Sequence, residues 1–210
     1  MRKRRAQTER TRAYHHGNLR SALMDSALGV LTEKGLAGFS LREAARRAGV
    51  SQSAPKHHFT DTKGLLTALA ARAFEALADR LEAADASEGG RRAQISAQGL
   101  AYVDFALTEP ALFDLMWRAS LLDLTDGDLL GQKQRAFAII DRRIRGPHTT
   151  IGEHIDPSMA PSYACWSLVH GFARLALDGA FSNHTDARIP IAADVLKNML
   201  DLLHLPDGEG

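Results

Sequence analysis

Gln52, Ser53, Lys56 and His57 gather amide, hydroxyl, ammonium and imidazole groups within six residues, a set able to hydrogen-bond base edges and phosphate oxygens. Ser40, Arg42 and Ser51 precede or adjoin them and Lys63 follows, so polar groups suited to an anionic polymer recur from 40 to 63. Two short helices must position them. Leu41, Ala44, Ala45 and Ala48 repeat at three and four residues, which makes one narrow apolar stripe on the first helix. Gly49 tolerates the left-handed backbone that closes a helix, and Val50 behind it is placed to wedge between the pair. Ser51 is placed to cap the second helix, Gln52 to about Phe59, in which Pro55 removes at most one early backbone bond. The polar four then project away from the packed side, as a helix lying in a major groove requires. Taken alone, the pattern fits a DNA-reading helix-turn-helix and an ordinary helical hairpin equally well.

Charge separates those readings. The chain carries net charge +1, yet residues 1–63 hold thirteen Lys/Arg against five Asp/Glu, whereas 64–210 hold thirteen against twenty. Basic charge coincides with the two-helix motif, and the acidic remainder would not grip nucleic acid. Residues 1–17, with Arg2, Lys3, Arg4 and Arg5 at their start, are too polar to fold alone and read as a basic flexible arm. Arg4 and Arg5 could enter a minor groove or neutralise phosphates, and a passive tail stays open beside both. No apolar stretch follows these charges, so they do not read as a signal peptide.

The remainder reads as helices and essentially no strand, in a chain of 210 residues with 45% hydrophobic content and no long uncharged apolar run. Residues 18–34 place Leu19, Leu23, Ala27 and Leu31 on one face before Gly35, giving the first of three helices in a DNA-binding unit over 18–66. Thr62 is the expected N-cap of a long helix through Leu66, Leu69, Ala73, Leu77 and Leu81, long enough to join that unit to a larger domain over 67–206. Further helices are expected over 91–108, from Pro110 through Trp117, and over 129–145, followed by a connection through Gly146-Pro147 and 152–157. Residues 158–181 and 189–204 spread apolar side chains over more than one face, so each must touch something beyond its own core. A four-helix interface between two copies would bury both surfaces; a single deep core in a monomer is the alternative.

The segment Ser40-Leu-Arg-Glu-Ala-Ala-Arg-Arg-Ala-Gly-Val-Ser51 with His58-Phe59 resembles the DNA-binding domain of the TetR/AcrR family of bacterial transcription regulators. Residues 14–20, Tyr-His-His-Gly-Asn-Leu-Arg, resemble the lead-in of one branch, whose ligand-binding domain ends in a Trp-x-x-x-His-Gly signature; Trp166, His170 and Gly171 stand at that spacing. Two positions depart from the pattern, which usually has tyrosine at Lys56 and lysine at Thr62, with Lys63 one place along. The resemblance implies an all-α homodimer joined through its two C-terminal helices, bound to double-stranded operator DNA. It further implies a repressor released by a small molecule in the C-terminal domain; a ligand-independent or activating regulator of the same fold stays open. Leu100, Phe105, Phe113, Met116, Trp117, Trp166 and His170 are the expected pocket, each open to the alternative that it is only core. His170 is expected first to satisfy a backbone carbonyl across an interface, as buried histidines usually do, with ligand binding and pH sensing left open.

No phosphate loop, Gly-x-Ser-x-Gly elbow or His-Glu-x-x-His occurs, so an enzyme is not expected. The pairs His15-His16 and His57-His58 lack metal-ligand spacing, no cofactor is implied, and no membrane partner is expected. Cys165, the single cysteine, excludes an internal disulfide and is expected as a buried apolar group, with a redox-sensing role left open; cytoplasm is the natural compartment.

Overall fold

In the computed structural model, residues 19–51, 56–86, 88–146, 157–181 and 190–203 are described, and every regular element among them is helical. The expected arm at 1–17 with Arg4 and Arg5, the residues Gln52 and Ser53, the side chains of Lys56 and His57, and the connection at 147–156 lie outside the described residues.

Helix α1 (19–34) buries Leu23, Ala27, Val30 and Leu31 completely and closes at Gly35, whose φ of 65° is the left-handed conformation expected there. Helix α2 (Leu41–Arg47) starts from extended Ser40, whose hydroxyl accepts the Glu43 N–H at 3.4 Å. Its Ala44 and Ala45 are fully buried, with Leu41, Ala48 and Val50 packed partly against the same core. Gly49, at φ 70°, donates to the Arg46 carbonyl at 3.2 Å while Val50 donates to Ala45 at 3.1 Å. This pair of bonds defines a Schellman closure, so the glycine does the work the sequence assigns to it. Helix α3 is described over Lys56–Phe59; Phe59 is buried and carries the Arg20 guanidinium 5.1 Å from its ring centroid.

Helix α4 (Thr62–Asp85) is the spine, about 36 Å long at 1.5 Å per residue. Its cap is Asp61, whose carboxylate accepts the Gly64 N–H at 2.8 Å; Thr62 is already the first helical residue. The expected Thr62 cap is thereby corrected: an aspartate one position earlier offers a charged acceptor to the same orphan donors. Thr60 turns the chain at φ 63°, and the Phe59 carbonyl lies so close to Gly64 that a Cβ there would stand 2.0 Å from it. A glycine is required at that junction.

Helices α5 (Arg91–Thr108), α6 (Pro110–Met116), α7 (Gly127–Arg145), α8 (Ala160–Leu177) and α9 (Pro190–Asp201) build the larger domain around α4, with single 3-10 turns at Ala119–Leu121 and Pro157–Met159. Asp126 caps α7 by accepting the Leu129 N–H at 2.9 Å, which starts that helix two residues before its apolar pattern. Asp85 at the end of α4 accepts two bonds from Arg143 (2.6 and 2.8 Å) and one from Gln98 (2.8 Å), tying α4, α5 and α7 together. Asp141, 1% exposed, accepts from Arg145 at 2.6 and 2.7 Å and from the Ser162 hydroxyl at 2.7 Å, which pins α7 to α8.

Helix α8 is shorter than the expected 158–181. Gly179, at φ 79°, closes it with bonds from Gly179 to Ala176 and from Ala180 to Leu175. The apolar pattern overruns that stop because Phe181 folds back onto Phe172, ring centroids 5.0 Å apart. Helix α9 likewise ends at Asp201 rather than 204 and seats against Gly99 of α5, where a Cβ would stand 3.0 Å from a Leu200 methyl.

Candidate functional site

The larger domain holds a chamber of about 390 Å³, open on one side, whose walls come from five helices. Phe74, Leu77 and Leu81 face it from α4 at helical spacing, and Tyr102 closes it from α5. Trp117 stands at the end of α6, and Tyr163 and Trp166 face it from α8. Leu130, Lys133, Gln134 and Phe137 form one face of α7; the first three are exposed and mark the mouth.

Of the expected pocket residues, Trp117 and Trp166 line this chamber, their rings 5.4 Å apart. Phe113 and His170 stand behind Trp117, with ring centroids 6.3 and 5.0 Å from it. Phe105 and Met116 are packed into the core at 0% and 4% exposure and line no part of the chamber. Leu100 lies on the outside at 37% exposure, because α5 turns its other face, with Ile95, Tyr102 and Ala106, inward. That stripe, at spacings of seven and four residues, was the available signal for Tyr102, which sequence reasoning missed. Phe74, Phe137 and Tyr163 were missed too: Phe74 and Phe137 are each the one aromatic on their helix, Tyr163 stands one turn before Trp166 on α8, and only the fold brings them together.

Behind the chamber a polar chain runs through the aromatic cluster. The Trp166 indole donates to the Tyr102 hydroxyl at 3.3 Å, and that hydroxyl lies 2.9 Å from His170 Nδ1. A hydroxyl that accepts from the indole has its own proton for the imidazole, so the arrangement suits neutral His170. Burial, with a smaller contribution from Arg174, lowers the His170 pKa, and burial raises that of Tyr102. By contrast, the buried Trp117 indole N–H has no partner among the described residues. Cys165 is 3% exposed and its thiol is pushed up to about 11 by burial, the state of an inert packing group.

At the other end of α4, Ser40, Arg42, Ser51 and Lys63 are the expected contact residues that fall among the described ones. Arg42, Ser51 and Lys63 are exposed, while half-buried Ser40 is occupied as a helix cap. Glu43 is gripped by Arg46 and then Arg47, which hold its carboxyl down at about 2. Arg47 also spans to Glu33 of α1 at 2.7 Å, so it braces α2 against α1. An open cleft of about 840 Å³ separates this unit from the α7 end, but charged groups of both signs line it, including Arg20, Arg72, Asp123 and Asp128. It lacks the apolar enclosure of a small-molecule site. Among the described residues no group of His, Cys, Asp and Glu is placed to hold a metal ion, and no helix is long and apolar enough to cross a membrane.

Comparison with known proteins matches residues 23–69 to the bacterial regulatory proteins of the tetR family and residues 95–201 to the tetracyclin repressor-like C-terminal domain. The chain belongs to the TetR family. The first match runs from α1 into the start of α4, and the second from α5 through α9. A structure of a protein of unknown function from Rhodococcus sp. RHA1 is 30% identical, with a TM-score of 0.73 over 90% of this chain and 95% of that one. The TetR-like regulator LfrR from Mycobacterium smegmatis, solved in complex with proflavine, is 22% identical, with a TM-score of 0.60 over 89% and 96% of the two chains. The HTH-type transcriptional regulator CymR of Pseudomonas putida is 40% identical over 81 residues. That match spans 39% of this TetR-family chain and 37% of CymR.

Proposed function

We propose that this TetR-family chain is a homodimeric, cytoplasmic transcription regulator that represses from an operator and leaves it when a small molecule fills the aromatic chamber. The observation that carries this reading is α4 itself: one unbroken helix bears Lys63 in its first turn and chamber residues Phe74, Leu77 and Leu81 further along. Lys63 and Phe74 are eleven residues apart, about 16 Å at 1.5 Å per residue. A second tie runs in parallel. The Thr67 hydroxyl, 1% exposed, donates to the Lys63 carbonyl at 2.8 Å and accepts the Asp123 N–H at 2.9 Å. Asp123 lies six residues beyond Trp117 on the loop leaving the chamber, so a ligand that moves Trp117 pulls on the turn of α4 that carries Lys63. For this to act as a switch the ligand must favour one of two arrangements, and a coupling of about 1–3 kcal/mol corresponds to roughly 5- to 150-fold weaker DNA binding.

Arg4, Arg5, Ser40, Arg42, Ser51, Gln52, Ser53, Lys56, His57 and Lys63 are the proposed DNA contacts, with Lys56 and Lys63 supplying phosphate affinity. Trp166, His170 and Gly171 support placement in the branch with the Trp-x-x-x-His-Gly signature, and the match to a repressor-like domain supports repression. The dimer is proposed through α8 and α9. Exposed Ala164, Ser167 and Leu175 share one face of α8 with Gly171, around which there is open space, and α9 exposes Val195, followed by Leu202 just past its end. Sedimentation of Gly171→Arg tests this face. A monomer with weakened operator binding is expected; a dimer as tight as the unaltered chain refutes it.

A further inference from the structure

The lining of the chamber specifies more than a small molecule. Six aromatic rings face it, from Phe74, Tyr102, Trp117, Phe137, Tyr163 and Trp166, and among the described residues its one charged lining group is the ammonium of Lys133 at the mouth. Among the described residues no carboxylate lines it. Asp79 and Glu82, on α4 beside Leu77 and Leu81, are both held by Arg135, at 2.7 and 2.6 Å. Trp117, part of that wall, also carries an indole N–H that is buried and unpaired among the described residues, whereas its neighbour Trp166 already donates to Tyr102. A donor buried without an acceptor is costly, and a ligand that supplies the acceptor recovers that cost on binding.

We propose that the chamber selects planar aromatic carboxylates: the ring lies among the indoles and Phe137, an oxygen accepts from Trp117, and the anionic charge is favoured by Lys133. Aromatic walls alone would also attract a cation through their ring faces. Two features oppose that occupant: Lys133 repels it, and an ammonium has no lone pair to offer Trp117. The proposal rests on reading this chamber as the effector's seat, and it adds the chemical class of the effector.

The test is calorimetric titration of the full-length protein with three probes of one shape: 2-naphthoate, 2-naphthamide and (2-naphthyl)methylammonium. Naphthoate is expected to bind most tightly and the ammonium most weakly. Trp117→Phe keeps a ring and removes the donor, and should weaken naphthoate and naphthamide alike by about 2- to 10-fold, the worth of one hydrogen bond. Lys133→Gln, at an exposed position, should weaken naphthoate by about two- to fivefold and leave naphthamide unchanged. Equal or tighter binding of the ammonium, indifference of naphthoate to both substitutions, or binding of none of the three overturns the proposal. The same probes added to the protein on operator DNA separate the two readings: naphthoate bound with this selectivity but releasing no DNA supports the ligand class and refutes the effector role.

Discussion

His170 shows how one side chain couples packing to solution conditions. Burial sets its pKa below the usual imidazole value near 6.5, so between those values the unfolded chain takes up more proton than the folded one. Its contribution to stability is therefore complete above about pH 6.5 and is lost as pH falls through the folded value. Urea unfolding of the unaltered chain should show a midpoint that drops from pH 7 to pH 5, and His170→Gln should flatten part of that drop; parallel profiles would remove His170 as a cause. Gly64 makes a different residue-level case. Because the atom opposing its missing Cβ is a backbone oxygen, Gly64→Ala cannot be relieved by a rotamer change, and a loss of about 3 kcal/mol is expected, at the upper end for overpacking. A thermal midpoint unchanged in Gly64→Ala would contradict the geometry. In the sequence Gly64 gave no signal, since its partner is a carbonyl set by the turn at Thr60 and not by any residue type.

At the scale of elements, much was legible because local chemistry and tertiary packing agree. Gly35 and Gly49 end their helices in the left-handed conformation, Pro110 opens α6, and the Leu41–Ala48 stripe is buried as its spacing predicts. The misses have a common origin. Asp61 outcompetes Thr62 as a cap, Gly179 cuts α8 before its apolar pattern ends, and Leu100 points outward from α5 because an apolar residue is no proof of an inward face. The chamber was legible as two tryptophans and no further, since walls drawn from five helices depend on how those helices cross. Two predictions belong here. Asp141→Ala removes the buried carboxylate that accepts from Arg145 and Ser162, and removing one member of such a pair costs about 3–5 kcal/mol, readable as a lower denaturant midpoint with helix content retained; no shift would show the α7–α8 pin to be dispensable. Thr67→Val removes both bonds that join the Asp123 loop to the Lys63 turn. The chamber should then bind its ligand as before while the ligand's effect on DNA affinity shrinks several-fold, within the 1–3 kcal/mol coupling of about 5- to 150-fold. Full coupling in Thr67→Val would assign the transmission to α4 alone.

For the whole molecule, the chain's near-neutral net charge hides two halves of opposite sign, and α4 makes them one object. The basic half carries the proposed output and the acidic half the proposed input, so dimerisation through α8 and α9 would fix the distance between two reading helices. Successive half-sites on one face of DNA lie about 34–36 Å apart, and a dimer that cannot hold the matching separation loses affinity. The most direct measurement is selection of duplexes from a random DNA pool by the full-length protein, followed by anisotropy titration of the enriched duplex over a range of salt. An inverted repeat bound by two chains is predicted, with log affinity falling linearly against log salt and a shallower slope for Lys63→Ala. Failure to enrich any sequence, or binding that is independent of salt, would contradict the central claim that this fold is built to hold an operator.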